Sequence, residues 1–129
     1  MATKQTTAQQ GHKLAQSPRL AVINNVSAQE LLEAYNQGRA LIYDLRTPAE
    51  YSEYHIPGSI LLPYEELAER IDEIPRNTIV YIIYIICRTG NRTTKAAAIL
   101  AEYGYINIYN VVGGIHCWEG PLEGTADFL

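Results

Sequence analysis

An apolar run meets a cysteine-containing loop in the stretch Ile79-Val80-Tyr81-Ile82-Ile83-Tyr84-Ile85-Ile86-Cys87-Arg88-Thr89-Gly90-Asn91-Arg92. Its β-branched and aromatic residues predict a buried central strand over 78–86. The segment 93–103 contains a run of helix-forming alanines and is followed by Gly104, which indicates a helix with a glycine stop. A strand that leads through a short loop into a helix places Cys87 at the carboxyl edge of a sheet, where open α/β folds bind ligands.

The loop from Cys87 to Arg92 has the composition of an anion site. Backbone N–H groups and the positive end of the following helix favour negative charge, and a curled loop adds a concave nest of donors. Arg88 and Arg92 contribute permanent positive charges. These features favour the thiolate form of Cys87 and predict a nucleophile at neutral pH. A small buried hydrophobic cysteine, the alternative, does not explain the Gly-Asn turn or the arginines. The predicted site consists of catalytic Cys87 and a surrounding loop of Arg88, Thr89, Gly90, Asn91, Arg92 and Thr93.

Composition limits the remaining possibilities. A chain of 129 residues with 47% hydrophobic content suits one globular domain. Its net charge of −4 argues against nucleic acid or an anionic membrane as partner. Cys87 and Cys117 form neither a disulfide framework nor a metal-type pair, so no metal and no cofactor is predicted. An apolar run of eight residues is too short to span a bilayer. The expected location is a reducing compartment, the cytoplasm.

Residues 1–20 are expected to form a flexible N-terminal tail, and residues 21–129 to form the folded domain. The tail is rich in Gln, Thr and Ala and contains basic but no acidic residues. That composition leaves import into an organelle open.

Strands and helices alternate along the folded part, which predicts an α/β domain with a mainly parallel, five-stranded sheet and helices on both faces. Capping-box spacings at Ser27/Glu30 and Thr47/Glu50 mark two helix starts. The expected strands cover 20–24, 40–43, 59–62, 78–86 and 106–112. The expected helices cover 28–37, 48–54, 64–73, 93–103 and 115–119.

Five motifs occur in one order along this chain. They are Asp44-Leu45-Arg46, Glu50-Tyr51, His55-Ile56-Pro57-Gly58-Ser59, the loop Cys87–Arg92, and Gly113-Gly114-Ile115 with Trp118. In these motifs the chain, over residues 25–122, resembles a single-domain rhodanese, a thiosulfate-type sulfurtransferase. The resemblance implies that Cys87 takes a sulfane sulfur from a donor, holds it as a persulfide and passes it to a nucleophilic acceptor.

The resemblance also implies partners and supporting residues. The expected donor is a small anion such as thiosulfate, or a persulfide, and the expected acceptor is a thiol or cyanide, with a protein acceptor left open. Asp44, Arg46 and Glu50 are expected to support the site, with Arg46 and Glu50 paired beside the loop.

Two other functions stay open at this stage. One is a catalytically silent rhodanese-like module that only binds or regulates a partner, against which the retention of Cys87 counts. The other is a cysteine-based phosphatase or arsenate reductase. Those enzymes use Cys-x5-Arg, whereas this chain has Cys-x4-Arg, and the shorter loop favours sulfur over a tetrahedral oxyanion.

The apolar run is longer than the resemblance implies, as though one Ile-x-Tyr triplet were copied. An insertion of three residues flips the faces of a strand unless it is absorbed elsewhere. We expect the extra residues to be absorbed before the strand, so that Cys87 keeps its place. Cys117 is expected to be a partly buried packing residue, with a resolving or sulfur-carrying role as the alternative. His55 is expected to make a structural hydrogen bond.

Overall fold

The structure is a computed structural model that describes residues 24–76, 80–105 and 107–126. The predicted tail and most of the first predicted strand lie outside these residues. The strands are β1 (Asn24–Val26), β2 (Ala40–Asp44), β3 (Ile60–Leu61), β4 (Ile82–Ile86) and β5 (Ile108–Val111). The α-helices are α1 (Ala28–Asn36), α2 (Pro48–Glu53) and α3 (Asn91–Glu102). Short 3-10 helices cover Tyr64–Glu66, Ile71–Glu73 and Gly114–Cys117.

The five strands form one sheet in the order β1-β5-β4-β2-β3, and every neighbouring pair is parallel. The predicted α/β class with a parallel five-stranded sheet is confirmed. Strand β4 lies at the centre, with Leu41 opposite Ile83 on one side and Asn110 opposite Ile85 on the other. Because all the strands run the same way, their carboxyl ends meet at one edge of the sheet.

Apolar layers cover both faces of the sheet, so the predicted placement of helices on both faces is also confirmed. Alternate residues of β4 serve the two layers, with Ile83 and Ile85 in one layer and Tyr84 and Ile86 in the other. The first layer is completed mainly by α3 and the segment after β3: Ala96, Ala97, Leu100, Leu67, Ile71 and Ile74. The second is completed mainly by α1 and the last 3-10 helix: Ala28, Leu31, Ala34, Ile115 and Trp118.

Strand β4 begins later than predicted. Its first residue is Ile82, whereas Val80 is 61% exposed and Tyr81 is 46% exposed, and both precede the strand. The expectation that extra residues are absorbed before the strand is therefore confirmed for Val80 and Tyr81. The five residues of β4 fill the two apolar layers in alternation and deliver Cys87 to the edge of the sheet.

Both predicted capping boxes are present and begin α1 and α2. The Ser27 hydroxyl accepts the Glu30 N–H at 3.0 Å, and the Glu30 carboxylate accepts the Ser27 N–H at 2.8 Å. Thr47 and Glu50 make the same pair of bonds, at 3.2 and 2.9 Å, with Pro48 in the first turn. Such boxes satisfy backbone donors that a helix start would otherwise leave unpaired.

The single helix predicted over 64–73 is wrong. Two 3-10 helices separated by turns occupy this segment, although Leu67, Ile71 and Ile74 are buried as the pattern required. Long-range hydrogen bonds reach this segment in addition to its local turn bonds. The Tyr105 hydroxyl donates to the carbonyls of Ile71 at 2.9 Å and Ile74 at 2.7 Å.

Across the described ranges, no helix has the length and apolar character needed to cross a membrane.

Candidate active site

Cys87 lies between the end of β4 and the start of α3, and the residue is only 1% exposed. Its Sγ accepts a hydrogen bond from the Gly90 N–H at 3.1 Å. The buried Thr93 hydroxyl lies 3.7 Å from the same sulfur. The sulfur thus receives one backbone N–H from the loop and lies beside a hydroxyl in the first turn of α3, polar surroundings that suit a negatively charged sulfur atom.

Gly90 gives the loop its curl. Its φ of +104° belongs to the left-handed region that glycine adopts readily. The Gly90 carbonyl accepts hydrogen bonds from the hydroxyls of Thr93 at 3.2 Å and Thr94 at 2.8 Å. These bonds fix the peptide between Gly90 and Asn91, which adjoins the peptide whose N–H points at Cys87.

The Gly113-Gly114 motif brings a second piece of backbone against the loop. A side chain at Gly114 would place its Cβ 2.4 Å from the Cys87 carbonyl oxygen, so only glycine fits there. The Ile115 N–H donates to the Cys87 carbonyl at 2.8 Å, and the His116 N–H donates to the Arg88 carbonyl at 3.1 Å. The last 3-10 helix therefore clamps the backbone of the cysteine loop, a role that the sequence pattern alone did not indicate.

The ion pairs around the loop differ from the prediction. Arg46 was expected to pair with Glu50, and this is wrong. Arg46 instead pairs with Asp44 at 2.8 Å, with both side chains about 1% exposed, and it also donates to the Tyr54 carbonyl at 2.6 Å. Because Asp44 and Arg46 are only two positions apart, this pair forms locally and does not depend on how distant parts of the chain are placed. Glu50 is left to bind Arg92.

Arg92 makes a forked contact with Glu50. Its Nη1 and Nη2 donate to Oε1 and Oε2 of Glu50 at 3.1 and 3.3 Å. Burial alone would raise the pKa of Glu50, but hydrogen bonds from Arg92 and the Thr47 backbone, together with the Arg92 charge, lower it to about 2. The hydrogen bonds that Arg92 donates to Glu50 raise the pKa of Arg92, and the charges of Glu50, Cys87 and Glu65 add to this against the opposing effect of burial.

The remaining predicted loop residues lie at the surface. Arg88, Thr89 and Asn91 are exposed and lie beside the buried Cys87 and Gly90. Of the predicted loop residues, Gly90 and Thr93 lie beside the Cys87 sulfur, and Arg92 binds Glu50. Of the predicted supporting residues, Glu50 contacts the loop through Arg92, while Asp44 and Arg46 bind one another.

Cys117 and His55 are the other two residues for which the sequence predicts a structural role. Cys117 was expected to be partly buried, and this is wrong, because it is exposed in the last 3-10 helix, with its Sγ so close to Gly113 that a Cβ there would lie 2.4 Å away. His55 makes the expected structural hydrogen bonds, with ring nitrogens 2.7 Å from the Tyr51 carbonyl and 2.9 Å from a Glu123 carboxylate oxygen.

One buried polar residue near the loop was not singled out from the sequence. Asn110 in β5 is 4% exposed, and its Nδ2 donates to Asn25 at 3.0 Å and to the Thr94 hydroxyl at 3.5 Å. Thr94 in turn donates to the Gly90 carbonyl. The signal that could have found Asn110 is a lone amide inside an otherwise apolar strand. Among the described residues, no cluster of His, Cys, Asp and Glu could hold a metal ion.

The fold and the site together are a parallel α/β sheet with a cysteine-containing loop at the carboxyl edge of its central strand. The family model for the rhodanese-like domain matches residues 27–120. The chain is 35% identical over 98 residues to a sulfurtransferase of Allochromatium vinosum, covering 75% of this chain and 89% of that protein. It is 38% identical over 82 residues to the Bacillus subtilis protein YrkF, covering 64% of this chain but only 43% of YrkF.

A solved structure gives the same result at the level of the fold. The crystal structure of a rhodanese-like domain protein from Staphylococcus aureus superimposes with a TM-score of 0.71 and 28% identity. The match covers 81% of this chain and all of that one. The chain belongs to the rhodanese-like family. Its expected membership is thereby confirmed, and the names of its relatives support sulfur transfer as the general chemistry.

Proposed function

We propose that this protein is a sulfurtransferase in which Cys87 carries a sulfane sulfur as a persulfide. The observation that carries the proposal is the environment of Cys87 Sγ, which accepts the Gly90 N–H at 3.1 Å with the Thr93 hydroxyl 3.7 Å away. The Gly90 N–H is placed to stabilise negative charge on the sulfur during transfer, and the same loop suits the charge of a persulfide afterwards.

The reaction needs two displacements at sulfur. With thiosulfate as donor, the Cys87 thiolate attacks the outer sulfur, the donor S–S bond breaks, and its electron pair leaves on sulfite. The product is the Cys87 persulfide anion. An acceptor such as cyanide or a thiolate then attacks the terminal sulfur of the persulfide, and the electron pair of the breaking bond returns to Cys87. Each step conserves charge and requires neither an external oxidant nor an external reductant.

The individual loop residues have distinct parts in this scheme. Gly90 supplies the donor that faces the sulfur, and Thr93 supplies a second polar contact. Arg88, exposed beside Cys87, provides positive charge for an approaching anion. Thr89 and Asn91 are the other exposed residues of the loop. Asp44 and Arg46 stabilise the neighbouring wall through their buried pair.

The proposal also includes a location and partners. Two free cysteines, one of them exposed, suit a reducing compartment such as the cytoplasm. The donor is a small anionic sulfane-sulfur compound, and the acceptor is a thiol, cyanide or a protein thiolate.

Mass spectrometry after treatment with thiosulfate tests the proposal directly. The peptide that contains Cys87 should gain one sulfur, about 32 Da, and cyanide should remove it as thiocyanate. Cys87→Ser should reduce cyanolysis by at least about a thousandfold while the protein stays folded, because a hydroxyl is similar in size but far less ionisable and nucleophilic. Cys117→Ser is the matched control and should keep most of the activity.

The possible outcomes separate the competing functions. A wild-type protein that gains no sulfur from thiosulfate or from a persulfide would support the silent module. Hydrolysis of an aryl phosphate that disappears in Cys87→Ser would support the phosphatase. Full cyanolysis by Cys87→Ser would contradict the role of Cys87.

A further inference from the structure

The charges near the candidate site are more balanced than the loop sequence suggests. Arg92, one of the two loop arginines, is engaged by Glu50 through both of its terminal nitrogens. Glu65, on the 3-10 helix Tyr64–Glu66, also acts on Arg92 electrostatically, as does a negative charge on Cys87. The positive charge of Arg92 is therefore largely compensated before any donor arrives.

The net formal charge near the loop determines how strongly an anionic donor is attracted or repelled. Arg88 and Arg92 contribute +2, while Glu50 and Glu65 contribute −2, so these four side chains sum to about zero. A Cys87 thiolate makes the total negative. Repulsion from a nearby charge grows in proportion to the charge of the approaching ion. A donor with two negative charges is thus opposed more strongly than a donor with one.

The position of Glu50 is fixed by its own helix. The same carboxylate oxygen that binds Arg92 Nη1 accepts the Thr47 N–H at 2.9 Å and the Thr47 hydroxyl at 3.1 Å. The carboxylate is thereby held at the start of α2 and presented to the start of α3. Its contact with Arg92 is 23% exposed on the Glu50 side and 29% on the Arg92 side, so it is partly screened by solvent and not buried.

We propose that Glu50 determines donor selectivity by compensating Arg92, and that it adapts the site to sulfane-sulfur donors with one negative charge, thiosulfonates and persulfides, in preference to dianionic thiosulfate. This inference rests on the proposed sulfurtransferase function and specifies its donor class. With a thiosulfonate, the Cys87 thiolate attacks the outer sulfur, the donor S–S bond breaks, and a sulfinate leaves with the electron pair. Charge is conserved, and the persulfide product is the same as with thiosulfate.

A matched pair of donors isolates the effect of charge. Methanethiosulfonate and thiosulfate share the reacting sulfur, but a methyl group in the first replaces a charged oxygen in the second. The quantity to measure is the ratio of kcat/KM for methanethiosulfonate to kcat/KM for thiosulfate, with cyanide as acceptor. Glu50→Gln should lower this ratio by roughly tenfold, since it removes one unit of charge near the reacting anions. Most of the change should appear in the KM for thiosulfate.

Other variants separate electrostatics from structure. Gln can still close a capping box, so Glu50→Gln retains the start of α2. Arg92→Gln leaves the Glu50 charge uncompensated and should shift the ratio in the opposite direction. Glu50→Asp keeps the charge and should keep the wild-type ratio. Glu30→Gln is the matched control, because it changes the equivalent box on α1, where the Glu30 carboxylate accepts the Ser27 N–H.

Three results would overturn the inference. The first is a kcat/KM ratio that stays within twofold of the wild type in both Glu50→Gln and Arg92→Gln. The second is an equal loss of kcat/KM for both donors in these variants. The third is a shift of the ratio in Glu30→Gln as large as that in Glu50→Gln. If neither donor adds sulfur to wild-type Cys87, the sulfurtransferase proposal itself fails, which mass spectrometry distinguishes from unchanged selectivity. Should Glu50→Gln not fold, the shift in Arg92→Gln still decides the question.

Discussion

Glu50 connects two helices through one side chain. It completes the capping box at the start of α2 and binds Arg92 in the first turn of α3. The local half of this role could be predicted, because the Thr-Pro-Ala-Glu pattern specifies it. The contact with Arg92 spans 42 positions in sequence and depends on how α2 and α3 are placed around the sheet. Short-range patterns contain no information of that kind.

The Glu50 contact predicts how stability depends on acid. A carboxyl whose pKa is about 2 in the folded chain and about 4.3 when unfolded stabilises the fold above the unfolded value. That stabilisation is lost as the pH falls from about 5 towards 2. The wild type should therefore lose more free energy of unfolding than Glu50→Gln over this range. Urea denaturation at several pH values measures the difference.

Arg92→Gln provides the control for the acid experiment. Without the cation, the pKa of Glu50 should return towards its usual value, and the extra loss of stability in acid should shrink. Parallel pH profiles for the wild type and Glu50→Gln would contradict the contribution of this ion pair.

At the scale of elements, β4 is the strand whose register could not be determined from the sequence alone. Its five residues alternate between the two apolar layers, and the exposed Val80 and Tyr81 come before it. Deleting Ile82-Ile83-Tyr84 would bring Ile79-Val80-Tyr81 into the strand, where only Val in place of Ile83 differs. An Ile to Val change in a core costs about 0.5–1.5 kcal/mol. We expect a soluble protein that melts a few degrees lower and still adds sulfur at Cys87.

A deletion of Ile85 alone is the contrasting variant. It moves Tyr84 from one face of the sheet to the other, into the buried position that Ile85 occupies. This variant should be insoluble or unfolded. If the triplet deletion behaves in the same way, residues 79–81 cannot replace the strand. A soluble triplet deletion without sulfur loading would show that the insertion positions the cysteine loop.

The sequence predicts the elements that are determined by neighbouring residues, but not those that depend on contacts between distant segments. Helices α1 and α2 were predicted because their capping residues act within four positions of each other. The segment 64–73 was not, because its shape also depends on hydrogen bonds that the distant Tyr43 and Tyr105 hydroxyls donate to its carbonyls. Likewise, the curl at Gly90 was anticipated from the Gly-Asn pair, whereas the contact of Gly114 with the Cys87 carbonyl depends on a chain segment from beyond β5.

At the scale of the whole molecule, the segment after Leu122 returns to α2. The backbones of His55 and Glu123 exchange two hydrogen bonds, at 2.8 and 2.9 Å. The Thr125 N–H donates to the Ser52 carbonyl at 3.0 Å, and the Ala126 N–H donates to the Glu53 carbonyl at 2.9 Å. These bonds occupy carbonyls at the end of a helix that has only six residues. The segment thus supports the helix that presents Glu50 to the loop.

Removing residues 123–129 should therefore destabilise the domain without abolishing its chemistry. Each lost hydrogen bond is worth about 1 kcal/mol, offset in part by the entropy of ordering the segment, so we expect a loss of about 1–2 kcal/mol and a Tm lower by about 4–10 °C. Glu123→Ala is the control. It removes only the contact of an exposed carboxylate with His55 and should change Tm little. Calorimetry compares the three proteins, and mass spectrometry at 25 °C should still find one sulfur added at Cys87. An unchanged Tm after truncation would mean that α2 holds its position without this segment.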